Sequence, residues 1–217
     1  MTWSLNEIEG LSRKAARGAG LSWGLAEEAG KATRWLCAAG LPGAEALAGL
    51  LRQNDGADYA TLCPLEETGS WAARGGALCP LISGAAICDQ AKDIAEGKAL
   101  ELGETSFPVL LLPYVAAAAA QNSDTAFCID WPGVSVTFGT ETRVTLGKPD
   151  ALERDRTTAV RITAARNTGG APLDHQTRGD IAPEIAQVLT EFAHRTYAPD
   201  TAQSRLSGAG AGLSDND

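Results

Sequence analysis

The sequence is poor in histidine, methionine and aromatic residues, and these shortages narrow the classes of protein it can encode. It contains two histidines, one methionine and 6% aromatic residues in 217 positions. Five cysteines are scattered without a Cys-x-x-Cys pair, and the two histidines lie far apart, so no zinc-binding pattern is present. The sequence therefore predicts neither a bound metal nor a cofactor.

The sequence also lacks a long apolar run. The longest, residues 107–120, is shorter than the roughly 20 residues of a membrane-spanning helix, and Pro108 and Pro113 interrupt it. The first residues have neither the basic start nor the apolar segment of a secretory signal. An odd number of dispersed cysteines is typical of a reducing compartment. We therefore expect a soluble, cytoplasmic protein with no membrane partner.

Positive charge is the minority charge, with 18 basic against 27 acidic residues. The net charge of −9 repels phosphate backbones, so we expect no nucleic-acid partner. The excess of acidic residues begins after the turn signal Gln53-Asn54-Asp55-Gly56. This shift predicts a helical subdomain over residues 1–54, an α+β body over residues 55–197 and a glycine-rich tail over residues 198–217.

Helical periodicity is clearest in the first 54 residues. Ser4 and Glu7 have the spacing of a capping box, and Gly18 and Gly20 supply a stop for the first helix. Further helices are predicted over residues 24–39, 43–52, 81–95 and 108–121. Alanines on the second helix would let a neighbouring helix approach closely.

Four later segments have the period of two that is typical of strands: 127–131, 134–138, 143–146 and 159–163. Their alternation of apolar and polar residues predicts one wet face, and hence an antiparallel meander. The last helix is capped by Asp180 in this prediction, and its apolar stripe includes Ile185, Val188, Leu189 and Phe192. We expect this helix to pack on the apolar face of the sheet, which completes an α+β fold.

The best catalytic candidate is His175, which lies in a polar stretch, residues 166–179, between Asp174 and Arg178. Histidine transfers protons near neutral pH and an arginine binds a carboxylate, so Arg178 is a ligand-binding candidate beside His175. An ordinary surface loop is the alternative, and it is the commoner fate of such a stretch.

Glu28 is the second catalytic candidate, because it falls on the flank of the apolar stripe of its helix. An unpaired carboxylate there would have a raised pKa suited to a general acid or base. Pairing with Lys31 or Arg34 is the favoured alternative.

The tail contributes Ser204 and Arg205 as ligand-binding candidates, since Arg205 precedes Gly208, Gly210 and Gly212. Glycine N–H groups that converge near an arginine suit a small anion. This spacing is not that of a nucleotide-binding loop, and a frayed C-terminus is the alternative.

The tetrapeptide Leu-Cys-Pro-Leu occurs twice, at residues 62–65 and 78–81. The residues that flank the two copies do not match, and we interpret the repeat as a coincidence.

Three segments together resemble a bacterial family known only as a domain of unknown function, and the resemblance would span most of the chain. They are Ser22-Trp23-Gly24-Leu25-Ala26-Glu27-Glu28-Ala29, Thr196-Tyr197-Ala198-Pro199, and Ser204-Arg205-Leu206 leading into Gly208-Ala209-Gly210-Ala211-Gly212. The resemblance implies no activity, cofactor or catalytic residue.

Two hypotheses of function follow from these residues. The first is a soluble protein that binds a small polar metabolite of amino-acid or carboxylate type, including an enzyme that uses acid-base chemistry. The alternative is a non-catalytic accessory or oligomeric subunit of a metabolic complex. In that case the protein could assemble with copies of itself as a homo-oligomer. The sequence leaves open whether the protein is an enzyme. If His175, Glu28 and Arg205 converge on one concave pocket, the metabolite-binding or enzyme hypothesis is favoured over the accessory-subunit hypothesis.

Overall fold

The computed structural model describes residues 2–67, 69–122, 125–139, 143–146, 149–165 and 171–197. The tail at residues 198–217, with Ser204 and Arg205, lies outside these residues. The α-helices of the described chain are α1 (Leu5–Gly18), α2 (Trp23–Ala38), α3 (Gly43–Gln53), α4 (Pro80–Asp89), α5 (Ala91–Ala95), α6 (Leu112–Ala120) and α7 (Pro183–His194).

Short strands and single turns of 3₁₀ helix connect these helices. The strands are β1 (Thr2–Ser4), β2 (Leu65–Glu67), β3 (Ser70–Ala72), β4 (Leu100–Leu102), β5 (Thr105–Ser106), β6 (Ala126–Trp131), β7 (Val134–Phe138), β8 (Arg143–Leu146), β9 (Arg156–Thr157), β10 (Val160–Ala165), β11 (Ala171–Pro172) and β12 (Arg178–Asp180). Turns of 3₁₀ helix lie at Tyr59–Leu62, Pro108–Leu111 and Pro149–Leu152. The α+β prediction is confirmed.

The predicted capping box at the start of α1 is present. The Ser4 hydroxyl accepts the Glu7 N–H at 3.2 Å, and the Glu7 carboxylate accepts the Ser4 N–H at 2.8 Å. Hydrogen bonding of the Glu7 carboxylate to the side chain and backbone of Ser4 lowers the pKa of Glu7. Two free N–H groups of the first turn are thereby satisfied, which is why the helix begins at Leu5.

Helices α1, α2, α3 and α7 pack together as one helical layer. Helices α1 and α7 approach each other closely at Gly18, where a Cβ atom would collide with the backbone of Phe192. Ala29 and Ala32 are buried on α2, so the small residues predicted on this helix lie in the interface. Close approach of helix backbones therefore depends on side chains that are small or absent.

The position of α7 corrects two predictions about the last helix. Its N-cap residue is Ala182, which makes no side-chain capping bond, whereas Asp180 ends strand β12. In the apolar stripe, Val188, Leu189 and Phe192 are buried as predicted and Ile185 is partly buried, but α7 packs against α1 and α3 and not on the sheet. An amphipathic stripe shows that a helix has a buried face, but not which element covers that face.

An eight-stranded sheet forms the second layer, in the order β11-β8-β7-β6-β10-β4-β3-β2. Strands β6, β7 and β8 form the predicted meander. The fourth predicted strand, β10, returns beside β6, so these four strands have the spatial order of a Greek key. In the eight-stranded sheet all neighbouring strands pair antiparallel except β3 and β4, which pair in parallel at Trp71 and Leu102.

The predicted alternation of burial holds along the central strands. In β6, Phe127, Ile129 and Trp131 are buried, while the residues between them are partly exposed. Helix α6 packs against β6 and β7, and α5 packs against β10, so these helices cover the apolar side. Helices α4 and α6 also contact α2, which joins the sheet to the helical layer.

No helix in the described ranges is long and apolar enough to cross a membrane. The division of the chain at residue 54 stays a prediction. Helix α7, from the end of the described chain, packs against α1 and α3, so the first 54 residues are in contact with a segment beyond the proposed boundary.

Candidate functional site

A cleft of about 620 Å³ lies where the turn between α2 and α3 meets three later segments of the chain. Its walls are formed by Cys37, Gly40, Leu41, Pro42, Glu45, Ala46, Phe107, Val109, Leu152, Glu153, Arg154, Asp155, Gln176 and Asp180. Its volume lies within the range of about 300–1,000 Å³ that is common for small-molecule sites.

Backbone hydrogen bonds hold the segments around the cleft. The Phe107 N–H donates to the Asp155 carbonyl at 2.7 Å, and the Gln176 N–H donates to the Ala38 carbonyl at 2.6 Å. The first bond joins the segment before the 3₁₀ turn at Pro108–Leu111 to the lining segment at residues 152–155. The second attaches residue 176 to the end of α2. The walls are therefore set by main-chain contacts as well as by side chains.

Phe107 has a backbone conformation that side chains rarely adopt. Its φ of 40° is in the left-handed region, and no other non-glycine residue of the described chain has a positive φ. This conformation costs free energy, and it persists where the surrounding structure enforces it, often at ligand-binding sites. Phe107 is 6% exposed, so its ring is part of the packed wall of the cleft.

Charged groups in the cleft are mostly negative. Among the described residues that line it, Glu45, Glu153, Asp155 and Asp180 are negative and Arg154 alone is positive. Arg154 is half-buried and makes no ion pair or side-chain hydrogen bond with the part of the chain that the structure describes. Its guanidinium therefore has donors available for a carboxylate ligand.

The position of Asp180 is set by the glycine before it. Gly179 is buried, and a Cβ atom there would lie 2.8 Å from the Ile8 side chain and 3.0 Å from that of Cys37. Only a residue without a side chain lets β12 approach α1 and α2 this closely. The Asp180 carboxylate also accepts the Thr2 hydroxyl at 2.7 Å, which limits its rotation.

Cys37 contributes a buried thiol to the wall of the cleft. Burial raises the pKa of this thiol to about 11, although backbone N–H groups of Ala44 and Gly43 act in the opposite direction. At neutral pH the side chain is therefore the thiol and not the nucleophilic thiolate. Among the residues with described side chains, no group of three metal-ligating residues is placed to hold a metal ion.

His175 lies beside the cleft but is not one of its lining residues. Its imidazole ring is exposed and meets the Trp35 ring edge-on, with 5.4 Å between the ring centroids. The next residue, Gln176, does line the cleft. The structure therefore places residues 175 and 176 of the predicted catalytic loop at the rim of the cleft, and the role of His175 stays a prediction.

Glu28 and Arg178 each have a partner away from the cleft. The Glu28 carboxylate accepts a hydrogen bond from Lys31 at 2.8 Å on the exposed side of α2. This is the pairing that the sequence favoured as the alternative to a catalytic role. The Arg178 guanidinium donates to the Thr2 carbonyl at 3.2 Å. None of Glu28, His175 and Arg178 is among the lining residues of the cleft, and their roles stay predictions.

Sequence reasoning missed Arg154 and Phe107. The run Glu153-Arg154-Asp155-Arg156 alternates in charge, and this signal could have identified the segment as a polar wall. The left-handed conformation of Phe107 has no sequence signal, because a residue before proline is expected to be extended.

The first part of the chain matches a known family model. The model described as "Protein of unknown function (DUF3726)" matches residues 3–79. The expected resemblance to an uncharacterised family is therefore confirmed for this segment, while its bacterial origin stays a prediction. The match is shorter than expected and does not reach the C-terminal segments that carried part of the resemblance.

No curated protein matches this sequence. Among solved structures, malate dehydrogenase from Entamoeba histolytica aligns with 70% of this chain at a TM-score of 0.41 and 9% identity. The alignment covers 47% of that chain, so the similarity extends over about half of the enzyme. A likeness of this degree carries no argument about function.

Proposed function

We propose that this protein binds a small polar metabolite of amino-acid type in the cleft around Arg154. The observation that carries the proposal is a half-buried guanidinium that pairs with no carboxylate of the described residues, set among four carboxylates in a cleft of about 620 Å³. A ligand that carries both a carboxylate and an amine would match both kinds of charge.

The two charged ends of such a ligand would have different partners. Its carboxylate would accept hydrogen bonds from Arg154, whose planar guanidinium suits this geometry. Its amine would lie near Glu45, Asp155 or Asp180, which leave the cleft with an excess of negative charge. A dicarboxylate without an amine is disfavoured, because like charges repel in a confined space.

The apolar part of the cleft suits the carbon skeleton of a small metabolite. Phe107, Val109 and Leu152 are buried residues of its wall. Pockets that combine apolar walls with a few placed polar groups are typical of small-molecule sites. If the protein is also an enzyme, its acid-base groups would be the carboxylates of the cleft, with His175 at the rim.

Thermal denaturation with selectively blocked ligands would test the proposal. We would compare free amino acids with the same compounds acetylated at the amine or amidated at the carboxylate. A ligand that binds only the folded state at a hundred times its Kd adds about 2.7 kcal/mol to the free energy of unfolding. We expect free amino acids of one side-chain class to raise the Tm, and either block to abolish the shift.

Arg154→Met is the matching variant, because methionine keeps an unbranched side chain without the charge. Loss of a charge-assisted hydrogen bond of about 1.5–3 kcal/mol should weaken binding roughly tenfold to a hundredfold. Arg161→Met is the control, since Arg161 pairs with Glu101 at 3.1 Å on the sheet and does not line the cleft. Equal shifts from blocked and free compounds would contradict the proposal.

The accessory-subunit hypothesis has one observation in its favour. Trp23 is 66% exposed, and the Arg17 guanidinium lies 5.0 Å from the centre of its ring. Exposed tryptophan with an adjacent arginine is typical of the centre of protein interfaces. We expect Trp23→Ala to change the mass measured by light scattering after size-exclusion chromatography if the protein is a homo-oligomer.

We also propose a cytoplasmic location. All five cysteines are free in the structure, which supports a reducing compartment.

A further inference from the structure

The two Leu-Cys-Pro-Leu segments, residues 62–65 and 78–81, lie side by side in the fold. The Cys79 N–H donates to the Leu62 carbonyl at 3.2 Å. Cys63 follows the 3₁₀ turn at Tyr59–Leu62, and Cys79 precedes the first residue of α4. The repeat that looked like a coincidence in sequence thus brings two cysteines to neighbouring positions on adjacent backbones.

The backbone hydrogen bond limits the separation of the two cysteines. Standard covalent geometry and the 3.2 Å bond place the two Cα atoms at most about 7.5 Å apart, and a bent arrangement brings them closer. Disulfides span Cα separations of about 4.4–6.8 Å. The thiols also influence each other, because a charge on Cys63 contributes to raising the pKa of Cys79.

The two thiols differ in access to solvent. Cys63 is half-buried and donates to the Tyr59 carbonyl at 3.4 Å, whereas Cys79 is 1% exposed. A small oxidant therefore reaches Cys63 first. The backbone of Cys79 is hydrogen-bonded to the residue before Cys63, and its thiol is shielded from the solvent, which suits the roles of an attacked and a resolving cysteine.

We propose that Cys63 and Cys79 form a reversible disulfide when the protein meets a hydroperoxide. The Cys63 sulfur attacks one peroxide oxygen, the O–O bond breaks, and Cys63 becomes a sulfenic acid as one molecule of water or alcohol leaves. The Cys79 sulfur then attacks the Cys63 sulfur, the S–O bond breaks, and the thiol proton of Cys79 leaves with the hydroxyl as water. Two thiols are oxidised by two electrons, and the hydroperoxide is reduced by two.

The disulfide would connect the turn at Tyr59–Leu62 to the start of α4 and close the loop that contains β2 and β3. It lies apart from the cleft, whose lining includes neither cysteine. The inference is therefore independent of the proposed metabolite site.

The test is peptide mapping after treatment of the purified full chain with hydrogen peroxide, followed by alkylation of the remaining thiols under denaturing conditions. We expect the intact protein to lose the mass of two hydrogen atoms and a peptide linked through Cys63 and Cys79 to appear. Dithiothreitol should restore both thiols. Limiting peroxide should give the linked form before any sulfinic acid accumulates.

Two single variants separate this pair from the other cysteines. In Cys79→Ser, Cys63 should stay a sulfenic acid that dimedone captures, and no internal link should form. Cys88→Ser is the control, because Cys88 is also half-buried but bonds to the Tyr114 carbonyl at 3.5 Å, so the link should form as in the wild type.

Three results would overturn the proposal: a link between other cysteines, conversion of wild-type Cys63 to sulfinic acid without a link, or full alkylation of both cysteines after peroxide. The wild-type peptide map gives this answer even if Cys79→Ser does not fold.

Discussion

The ring of Phe107 lies against Gly49 in the place that a side chain at residue 49 would occupy. A Cβ atom built on Gly49 falls 2.5 Å from two ring carbons of Phe107. Gly49 is in the interior of α3, where glycine lowers helix stability, so its presence there has a packing reason. The ring fits on α3 because no side chain intervenes, and this contact supports the left-handed backbone of Phe107 at the cleft.

We expect Gly49→Ala to destabilise the protein. Overpacking a filled site costs about 1–3 kcal/mol, and the better helix propensity of alanine returns about 1 kcal/mol at most. Gly10→Ala is the matched control, because Gly10 is also inside a helix and nothing lies within 4 Å of its Cβ position. Chemical denaturation should show a lower free energy of unfolding for Gly49→Ala and a higher one for Gly10→Ala. An increase in both variants would mean that the Phe107 ring moves freely.

Leu189→Ala should lower the free energy of unfolding by about 2–5 kcal/mol. Leu189 is completely buried where α7 packs against α1 and α3, so its truncation leaves a cavity. The exposed Gln187 on the same helix provides the comparison, and Gln187→Ala should cost only a few tenths of a kcal/mol. Urea denaturation of both variants measures the difference. Similar losses would be incompatible with the observed packing of α7.

His175→Ala should leave the Tm nearly unchanged, because the imidazole is exposed and packs on Trp35 only as an edge-on ring pair. We expect weaker ligand binding, since the neighbouring Gln176 lines the cleft. Calorimetric titration with any amino acid that stabilises the wild type measures this effect. Unchanged affinity and, for an enzyme, unchanged turnover would identify His175 as an ordinary surface residue.

The ion pair between Asp55 and Arg195 predicts a specific dependence of stability on pH. Arg195 donates two hydrogen bonds to the Asp55 carboxylate, at 2.6 and 2.9 Å, and these lower the pKa of Asp55 from its ordinary 3.8. A carboxyl whose pKa falls on folding stabilises the native state above its unfolded pKa. That stabilisation is lost as the pH drops through the folded pKa.

Asp55→Asn should therefore have a lower Tm than the wild type at neutral pH, and the difference should close in acid. Both side chains are well exposed, so the effect is small and should shrink in high salt. Thermal scans across an acidic pH series, at low and high salt, measure it. A Tm difference that persists at the lowest pH would show that the asparagine acts through something other than lost charge.

The elements that the sequence predicted correctly depend on neighbours along the chain. The capping box of Ser4 and Glu7 involves residues three positions apart, and the strands at residues 126–138 alternate with a period set by the backbone itself. The capping hydrogen bonds and the alternation of buried and exposed faces require no knowledge of distant residues. Helices α1 to α3 accordingly begin and end within a residue of their predicted limits.

The functional-site residues could not be predicted in this way, because the chemistry of a residue in a folded protein depends on its partners in space. The sequence predicts an active role for Glu28 as a carboxylate beside an apolar stripe, but in the fold this carboxylate pairs with Lys31 on the same helix. The sequence gives no sign that Arg154 differs from other charged residues, whereas the fold places it among the carboxylates of the cleft with no ion pair to the described residues.

By itself the sequence determined the class of the fold, the limits of α1 to α3 and, to within two residues, the limits of the strands β6, β7, β8 and β10, since these follow from short-range periodicity and capping. It predicted one helix over residues 81–95 where the chain forms α4 and α5, and it did not predict the other eight strands of the described chain. Only the tertiary structure decided that α7 covers α1 and α3, that β10 returns beside β6, and that residues 37–46, 107–109 and 152–155 enclose a cleft. It also placed Cys63 beside Cys79. Such pairings join segments far apart in sequence, and they are selected by the complementarity of whole surfaces, which the pattern of any one segment does not contain.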